Sequence, residues 1–280
     1  MIYGTIVVCG GGCYGGYYVR QLARARAAGA LTVDEIVVVD QNAECTVARL
    51  IDGIARHDTE AIAAYGWRTQ RADAVSDRGE LEPGYLGLPI RFVAAAWAEF
   101  FDSWFASTIV SAGAATSRDA VVPSPLMPHL LADWVAARME MHRPGSAVAR
   151  VAGSATPDTP WQRAAPDLAH YASFATWMCP INCIEPARCP ETRGPRDWTM
   201  PAAVSLAAQR AAGQGTPYDV LALFHTTHRL FGVGMFDVTH AVRVDAEIAR
   251  LAAQPSLRVL VASVSHCHGA LAELWSGGAA

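Results

Sequence analysis

The stretch Thr5-Ile6-Val7-Val8-Cys9-Gly10-Gly11-Gly12-Cys13-Tyr14-Gly15-Gly16 decides the fold. Its β-branched beginning predicts a buried strand, and the spaced apolar residues that follow the glycines predict a helix. A loop that holds a pyrophosphate needs glycine for a tight turn, for close approach of the ligand and for packing of the helix on the strand. Gly10, Gly12 and Gly15 fit the pattern G-x-G-x-x-G, and Gly11 lies between them.

The next predicted strand, Glu35–Val39, ends in Asp40. A carboxylate at this position binds the ribose hydroxyls of a dinucleotide and favours NAD over NADP. Over about residues 1–60 the chain resembles the NAD(P)-binding Rossmann superfamily. The resemblance implies phosphate contacts at Gly10, Gly12 and Gly15, with Gly11 in the same loop, and a ribose contact at Asp40. S-adenosylmethionine, or a glycine turn that has lost its nucleotide, stays an alternative.

Buried strands and helices alternate along much of the chain, which is typical of a doubly wound, mostly parallel α/β sheet. We expect further strands at Ile90–Ala94, Thr108–Ala112, Tyr218–Phe224 and Leu257–Val264, and helices at Val242–Ala253 and around Ala270–Trp275. The predicted organisation is a Rossmann-like nucleotide-binding part (1–143), an irregular Cys/Pro-rich insertion (144–217), and a return to the same α/β domain (218–280).

Three cysteines cluster in the insertion, in the order C-P-x2-C-x-E-P-x2-C-P. Cys179, Cys183 and Cys189 each lie beside or near a proline, and fixed loops suit thiolates that converge on one ion or cluster. Their spacing matches neither the usual zinc pairs nor the bacterial ferredoxin pattern. We predict a metal site, zinc or iron–sulfur, with Cys267 as a further ligand. A redox thiol pair and three unpaired thiols stay open.

Histidines follow two of the predicted strands. His225 and His228 come after Tyr218–Phe224, and His266 and His268 come after Leu257–Val264. In open α/β sheets, ligands bind beyond the carboxyl ends of parallel strands. If both strands lie parallel to the first, we expect these histidines and Cys267 to meet the glycine loop and the cysteine segment at one edge, as metal ligands or general acid–base groups.

Composition excludes several classes of function. The 280 residues are 52% apolar, with a net charge of −4 and a pI near 6.1, which predicts no nucleic-acid partner. No apolar run approaches the roughly 18 residues of a membrane span, and no signal-peptide pattern begins the chain, so a cytoplasmic protein is expected. All basic side chains are arginine. The lack of lysine excludes Walker A nucleotide binding and Schiff-base chemistry.

These patterns predict an NAD-dependent oxidoreductase that acts on a small-molecule substrate and carries a second Cys/His metal or iron–sulfur centre. A non-catalytic sensor, in which the nucleotide site and the Cys/His centre report metal or redox state to a partner, is the alternative. The sequence leaves the substrate, the metal and the oligomeric state, including a homo-oligomer, open.

Overall fold

The structure, a computed structural model, describes residues 1–68, 84–85, 87–110, 117–124, 130–175, 179 and 183–277. These residues form an α/β fold with two six-stranded mixed sheets and seven helices. In chain order the elements are β1 (Ile2–Cys9), α1 (Cys13–Ala27), β2 (Thr32–Asp40), α2 (Thr46–Ala55), α3 (Thr59–Arg68), β3 (Ile90–Ala94), α4 (Trp97–Val110), β4 (Ala120–Val122), α5 (Leu130–His142), β5 (Val148–Val151), β6 (Trp161–Ala164), β7 (His170–Ser173), α6 (Met200–Gly213), β8 (Val220–His225), β9 (Thr227–Leu230), β10 (Val233–Asp237), α7 (Val238–Arg250), β11 (Ser256–Val264) and β12 (His268–Gly277).

The chain divides into two compact units, and each contains one of the sheets. The first unit takes Met1–Trp104, Thr116–Leu126 and His228–Val238. The second takes Phe105–Ala115, Met127–Thr227 and Thr239–Ala280. Each unit is therefore assembled from three separate stretches of chain.

The first sheet has the order β3-β2-β1-β4-β10-β9. β1 pairs in parallel with β2 and with β4, β2 pairs in parallel with β3, and β10 closes antiparallel on β4. Apolar runs at the centres of β1 and β2 are fully buried, because both faces of a central parallel strand are covered. The predicted order of strand, glycine loop, helix and strand ending in Asp40 is confirmed.

The second sheet has the order β6-β7-β12-β11-β8, and β5 also pairs with β12. β8 and β11 are parallel, as expected for the strands that precede the histidines, whereas β12 is antiparallel to β11, β5 and β7. The prediction of one continuous sheet is wrong, because β8 and β11 pair with each other and with β12 instead of joining β1 and β4.

Three local predictions are also corrected. The final segment, predicted as a helix at Ala270–Trp275, is the strand β12, because pairing on both sides outweighs the helix propensity of its Ala, Leu and Glu residues. Helix α4 continues to Val110, where Thr108–Ala112 was predicted as a strand; residues 111–112 lie outside the described residues. The insertion is not irregular throughout, since β5, β6, β7 and α6 lie within it.

Among the described residues, no helix combines the length and the apolar character that crossing a membrane requires.

Candidate functional site: a glycine loop and a thiol–histidine centre

The glycine loop joins β1 to α1 in the first unit. Gly10 has a φ of +93°, in the left-handed region where a side chain would be strained, and its N–H donates to the Val39 carbonyl at 2.8 Å. A Cβ at Gly15 would lie 1.7 Å from the Gly10 carbonyl oxygen, and a Cβ at Gly11 would lie 2.3 Å from Cys45 Sγ. Turn conformation and close packing therefore require glycine at these three positions.

Close packing does not require glycine at position 12. A Cβ at this position would meet no described atom within 4 Å. Gly12 is also the N-cap residue of α1; among the described residues no side chain caps this helix, and its first turn carries no acidic residue. The Cβ position of Gly12 therefore faces open space at the positive end of the helix dipole, an arrangement that suits an anion.

Asp40 is tied to the glycine loop. One carboxylate oxygen accepts from the Gly11 N–H at 2.7 Å, and the other accepts from the Asn42 N–H at 2.9 Å. The Trp97 indole lies against the same loop: its Nε1 donates to the Val39 carbonyl at 2.8 Å, and a Cβ at Gly10 would lie 3.2 Å from its ring. The sequence did not predict that Trp97 contacts the glycine loop, because this contact depends on how β3 pairs with β2.

Three further cysteines surround this loop. Burial raises the pKa of the Cys9 thiol to about 12 and also raises that of Cys45, whose Sγ accepts from the Ala48 N–H at the start of α2. Both thiols are therefore held neutral by the core. Cys13 is exposed at the first turn of α1.

The second candidate site lies in the second unit, where β11 turns into β12. The turn carries His266 and Cys267, and His268 begins β12. Main-chain bonds tie both ends of the cysteine segment to this turn: the Phe174 N–H donates to the Cys267 carbonyl at 3.0 Å, and the Met200 N–H donates to the His266 carbonyl at 2.8 Å. The Glu185 carboxylate accepts from the His266 N–H at 3.0 Å. The predicted meeting of the cysteine segment with Cys267 and His268 is thus present.

We call the cysteine segment with Cys179, Cys183 and Cys189, together with the turn residues His266, Cys267 and His268, the thiol–histidine centre. Two of its sulfurs have polar side-chain neighbours. His268 Nε2 lies 3.3 Å from Cys179 Sγ, and His268 Nδ1 lies 2.9 Å from the hydroxyl of Ser173, a buried residue of β7. Arg196 Nη1 donates to Cys267 Sγ at 3.3 Å. Ser173 lies far from His268 in sequence and no spacing pattern links them, so sequence reasoning missed it.

The loop around Cys189 is shaped to hold a thiolate. Its N–H donates to the Gly194 carbonyl at 3.0 Å and its carbonyl accepts from Arg193, which has a left-handed φ of +58°. Burial raises the pKa of the Cys189 thiol, but hydrogen bonds from Thr192 and the Glu191 N–H, with the charge of Arg196, lower it below its ordinary value. This cysteine is therefore the one whose surroundings favour negative charge.

The other cysteines share the electrostatic environment of Cys189. Burial, with smaller contributions from the charges of Cys183, Cys267 and Cys189, raises the pKa of the Cys179 thiol to about 11. Burial also raises the pKa of Cys267, against the charge of Arg196, which lowers it. Within the residues that the structure describes, no three His, Cys, Asp or Glu side chains are arranged so that they could hold a metal ion. Metal binding by these cysteines stays a prediction.

The predicted histidines do not share one site. His225 pairs with Val264 across the parallel strands β8 and β11, so it ends at the same sheet edge as His266 and His268. His228 lies instead in β9 of the first sheet, where its Nδ1 donates to the Gly232 carbonyl at 2.6 Å. The expectation that all of them and Cys267 share one sheet edge with the glycine loop is wrong, because the two groups belong to different sheets.

Comparison with known proteins gives one match. The family AF_1314_C, described as "Uncharacterized protein, C-terminal domain", matches residues 131–276, which is more than half of the chain and includes the whole cysteine segment and the β11–β12 turn. No curated protein and no solved structure matched the chain. The chain therefore belongs to the AF_1314_C family through this C-terminal domain.

Proposed function

We propose that this protein binds NAD at the glycine loop and is an NAD-dependent oxidoreductase. The observation that carries the proposal is a difference among the glycines: turn conformation and packing require Gly10, Gly11 and Gly15, whereas the Cβ position of Gly12 meets no described atom within 4 Å and leaves room for a ligand. An open Cβ position beside a helix N-terminus that no described side chain caps matches what a pyrophosphate requires.

The topology of the first sheet supports a Rossmann-like nucleotide site. The chain runs outward from β1 to β2 and β3 on one side, then returns to place β4 on the other side, with all four strands parallel. Ligands of α/β sheets bind at such a reversal, beyond the carboxyl ends of the strands. The glycine loop begins at the carboxyl end of β1, which is at this point of reversal.

Asp40 supports NAD in preference to NADP. Its carboxylate, fixed by the N–H groups of Gly11 and Asn42, has the remaining acceptor capacity to bind two ribose hydroxyls, and its charge would repel a 2′-phosphate. S-adenosylmethionine would use the same strand, turn and carboxylate without a pyrophosphate. Open space at Gly12 favours the dinucleotide of the two.

The reaction class follows from NAD. A hydride would pass between a small-molecule substrate and the nicotinamide, and a general acid–base group would take or give the accompanying proton. Of the histidines predicted as general acid–base groups, His228 belongs to the same unit as the glycine loop, and its Nδ1 donates to the Gly232 carbonyl. The roles of His225, His266 and His268 stay predictions. Metal binding by the four thiols Cys179, Cys183, Cys189 and Cys267 also stays a prediction.

A nucleotide-binding redox sensor is the second candidate function. The observation that favours it is that the glycine loop and the thiol–histidine centre belong to different sheets in different units, so no shared strand edge aligns them. An oxidoreductase of the proposed kind would consume NADH in the presence of a small-molecule hydride acceptor such as a carbonyl compound, with the accompanying proton supplied by the general acid. A sensor would bind NADH without this turnover.

NADH and NADPH titrations followed by fluorescence test the binding proposal. We expect tighter binding of NADH, and loss of that binding in Gly12→Val, because the valine side chain fills the pyrophosphate space. Gly213→Val is the matched control, since Gly213 also has no described atom within 4 Å of its Cβ position but lies at the end of α6. Undiminished NADH binding by Gly12→Val, or binding of S-adenosylmethionine with neither nucleotide, would overturn the proposal.

A further inference from the structure

We propose that Cys179 is a nucleophile with His268 as its base and Ser173 as the residue that orients the base, and that the second unit hydrolyses carboxylic esters or thioesters. This activity goes beyond the proposed NAD site and uses residues of the second unit alone. For Cys179, attack on a carbonyl and ligation of a metal are alternatives, and the experiment separates them.

Three side chains from separate parts of the chain are joined by two contacts. His268 Nε2 lies 3.3 Å from Cys179 Sγ, and His268 Nδ1 lies 2.9 Å from the Ser173 hydroxyl oxygen. A nucleophile within hydrogen-bonding reach of a base, with the base oriented by a third group, is the arrangement that marks nucleophilic catalysis. The described residues supply all three members of that arrangement.

The main chain holds the base and its orienting partner in register. Ser173 of β7 and His268 of β12 lie directly opposite each other in the antiparallel ladder, so their side chains are neighbours. Ser173 is fully buried, whereas Cys179 is partly exposed. The imidazole is therefore supported from the core side, and the thiol lies where a substrate can reach it.

Ser173 suits the tautomer that this chemistry needs. Its hydroxyl oxygen accepts from the Ala175 N–H at 3.1 Å and, with its second lone pair, accepts from Nδ1–H of His268. In that tautomer Nε2 carries no proton and faces Cys179 Sγ as a base. When Nε2 takes the thiol proton, the bond from Nδ1 to Ser173 remains and keeps the imidazolium ring in place.

The surroundings keep both groups neutral until a substrate is attacked. Burial raises the pKa of the Cys179 thiol and lowers that of His268. A neutral thiol needs a base in contact with it to become a nucleophile, and His268 is that base. The proton therefore moves as the sulfur attacks, as it does from the serine of a serine–histidine pair.

Arg196 offers a donor for the negative charge that develops on the substrate. Its Nη1 donates to Sγ of Cys267, the residue before His268, whereas its buried Nε has no hydrogen-bond partner among the described residues. A buried N–H without an acceptor is costly. The oxyanion of an attacked carbonyl is an acceptor of the required kind.

The reaction is an acyl transfer to sulfur and then to water. Cys179 Sγ bonds to the carbonyl carbon while its proton passes to His268 Nε2; that proton leaves with the alcohol or thiol, and the acyl group stays on sulfur as a thioester. Water then attacks the thioester and gives a proton to His268. Release of the carboxylic acid returns that proton to Cys179. The sum is ester and water giving acid and alcohol or thiol.

Hydrolysis of p-nitrophenyl acetate and phenyl thioacetate by the full chain, with mass spectrometry of protein quenched during turnover, tests the proposal. We expect an acetyl group on Cys179 and loss of hydrolysis in Cys179→Ser. His268→Gln should lower kcat by about 100-fold or more, because a general base contributes about that much. Cys13→Ser is the matched control: it removes an exposed thiol of the first unit and should hydrolyse both probes at the native rate.

The rate at which iodoacetamide alkylates Cys179 separates a base from a structural histidine. It should fall at least severalfold in His268→Gln, while Cys13 in the same sample reacts at an unchanged rate and circular dichroism shows the native fold. If His268→Gln does not fold, His268→Asn takes its place. An unchanged alkylation rate of Cys179 would show that His268 is not its base.

Three other results would overturn the proposal. They are hydrolysis at the native rate in Cys179→Ser, an acetyl group found only on other residues, and stoichiometric zinc in the purified chain that Cys179→Ser lacks. Gly12→Val should lose NADH binding and keep the hydrolysis, so failure of the nucleotide proposal remains distinct from failure of this one.

Discussion

The glycine loop and the thiol–histidine centre are built in opposite ways. The loop is a main-chain structure: neighbouring glycines in one short stretch set its turn and its packing, and the open space at Gly12 is present without a ligand. The thiol–histidine centre is a side-chain structure. Its contacts join Cys179 to His268 and Arg196 to Cys267, across wide gaps in the chain. A site made by main chain is fixed by local sequence, whereas a site made by side chains depends on the tertiary fold.

The largest expected effect contrasts two glycines of the loop. In Gly15→Val the new Cβ would lie 1.7 Å from the Gly10 carbonyl oxygen, a main-chain atom that cannot move aside, whereas Gly12→Val meets no described atom within 4 Å. We expect Gly15→Val to lower the free energy of unfolding by about 4 kcal/mol or more, and Gly12→Val, at the N-cap of α1, by about 1 kcal/mol or less. Chemical denaturation measures both. Equal losses would mean that Gly12 is also a packing glycine, and the loop would lose its ligand space.

A smaller effect tests the side-chain site from a distance. Ser173 is fully buried, contacts His268 Nδ1 at 2.9 Å and accepts from the Ala175 N–H at 3.1 Å. Ser173→Ala should lower the free energy of unfolding by about 1–3 kcal/mol, because two polar groups lose their partner. It should also change the rate at which the Cys179 thiol reacts with an alkylating reagent, since His268 loses its orientation.

The matched control for that variant is Ser205→Ala. The Ser205 hydroxyl donates to the Pro201 carbonyl within α6 of the same unit and touches neither histidine nor cysteine in the contacts described. It should leave the reaction rate of the Cys179 thiol unchanged. If Ser173→Ala behaves in the same way, His268 is held by β12 alone and the centre depends less on the tertiary fold than its contacts indicate.

The smallest expected effect is on the pH dependence of the second unit. Burial lowers the pKa of His170 from 6.5, and its Nε2 has no hydrogen-bond partner among the described residues. The unfolded chain therefore binds a proton more readily, so this histidine contributes stability above the unfolded pKa that is lost as the pH falls through the folded pKa. The free energy of unfolding should fall less steeply from about pH 7 to 5 in His170→Asn than in the native chain. Parallel slopes would show that His170 is not the group responsible.

The same contrast explains what the sequence could predict. The glycine loop and Asp40 were found because turn chemistry and the ends of β1 and β2 are local properties. Four-residue strands such as β5 and β6 are too short to show periodicity, and β12 reads as a helix until its neighbours are known. The contact of Cys179 with His268 was expected, but the expectation assumed one continuous sheet. In the structure His268 follows the turn between β11 and β12 and contacts Cys179 in the second sheet.

The assembly of each unit from three stretches of chain has a consequence for synthesis on the ribosome. β4 emerges early, but its antiparallel partner β10 follows more than a hundred residues later, after four of the six strands of the second sheet. At translation rates of 5–20 residues per second the wait is on the order of ten seconds. Throughout it the nascent chain presents β4 as an uncovered strand edge, the kind of surface that recruits foreign strands. Ligand binding at the glycine loop before β10 emerges would stabilise the partly synthesised first unit during this time.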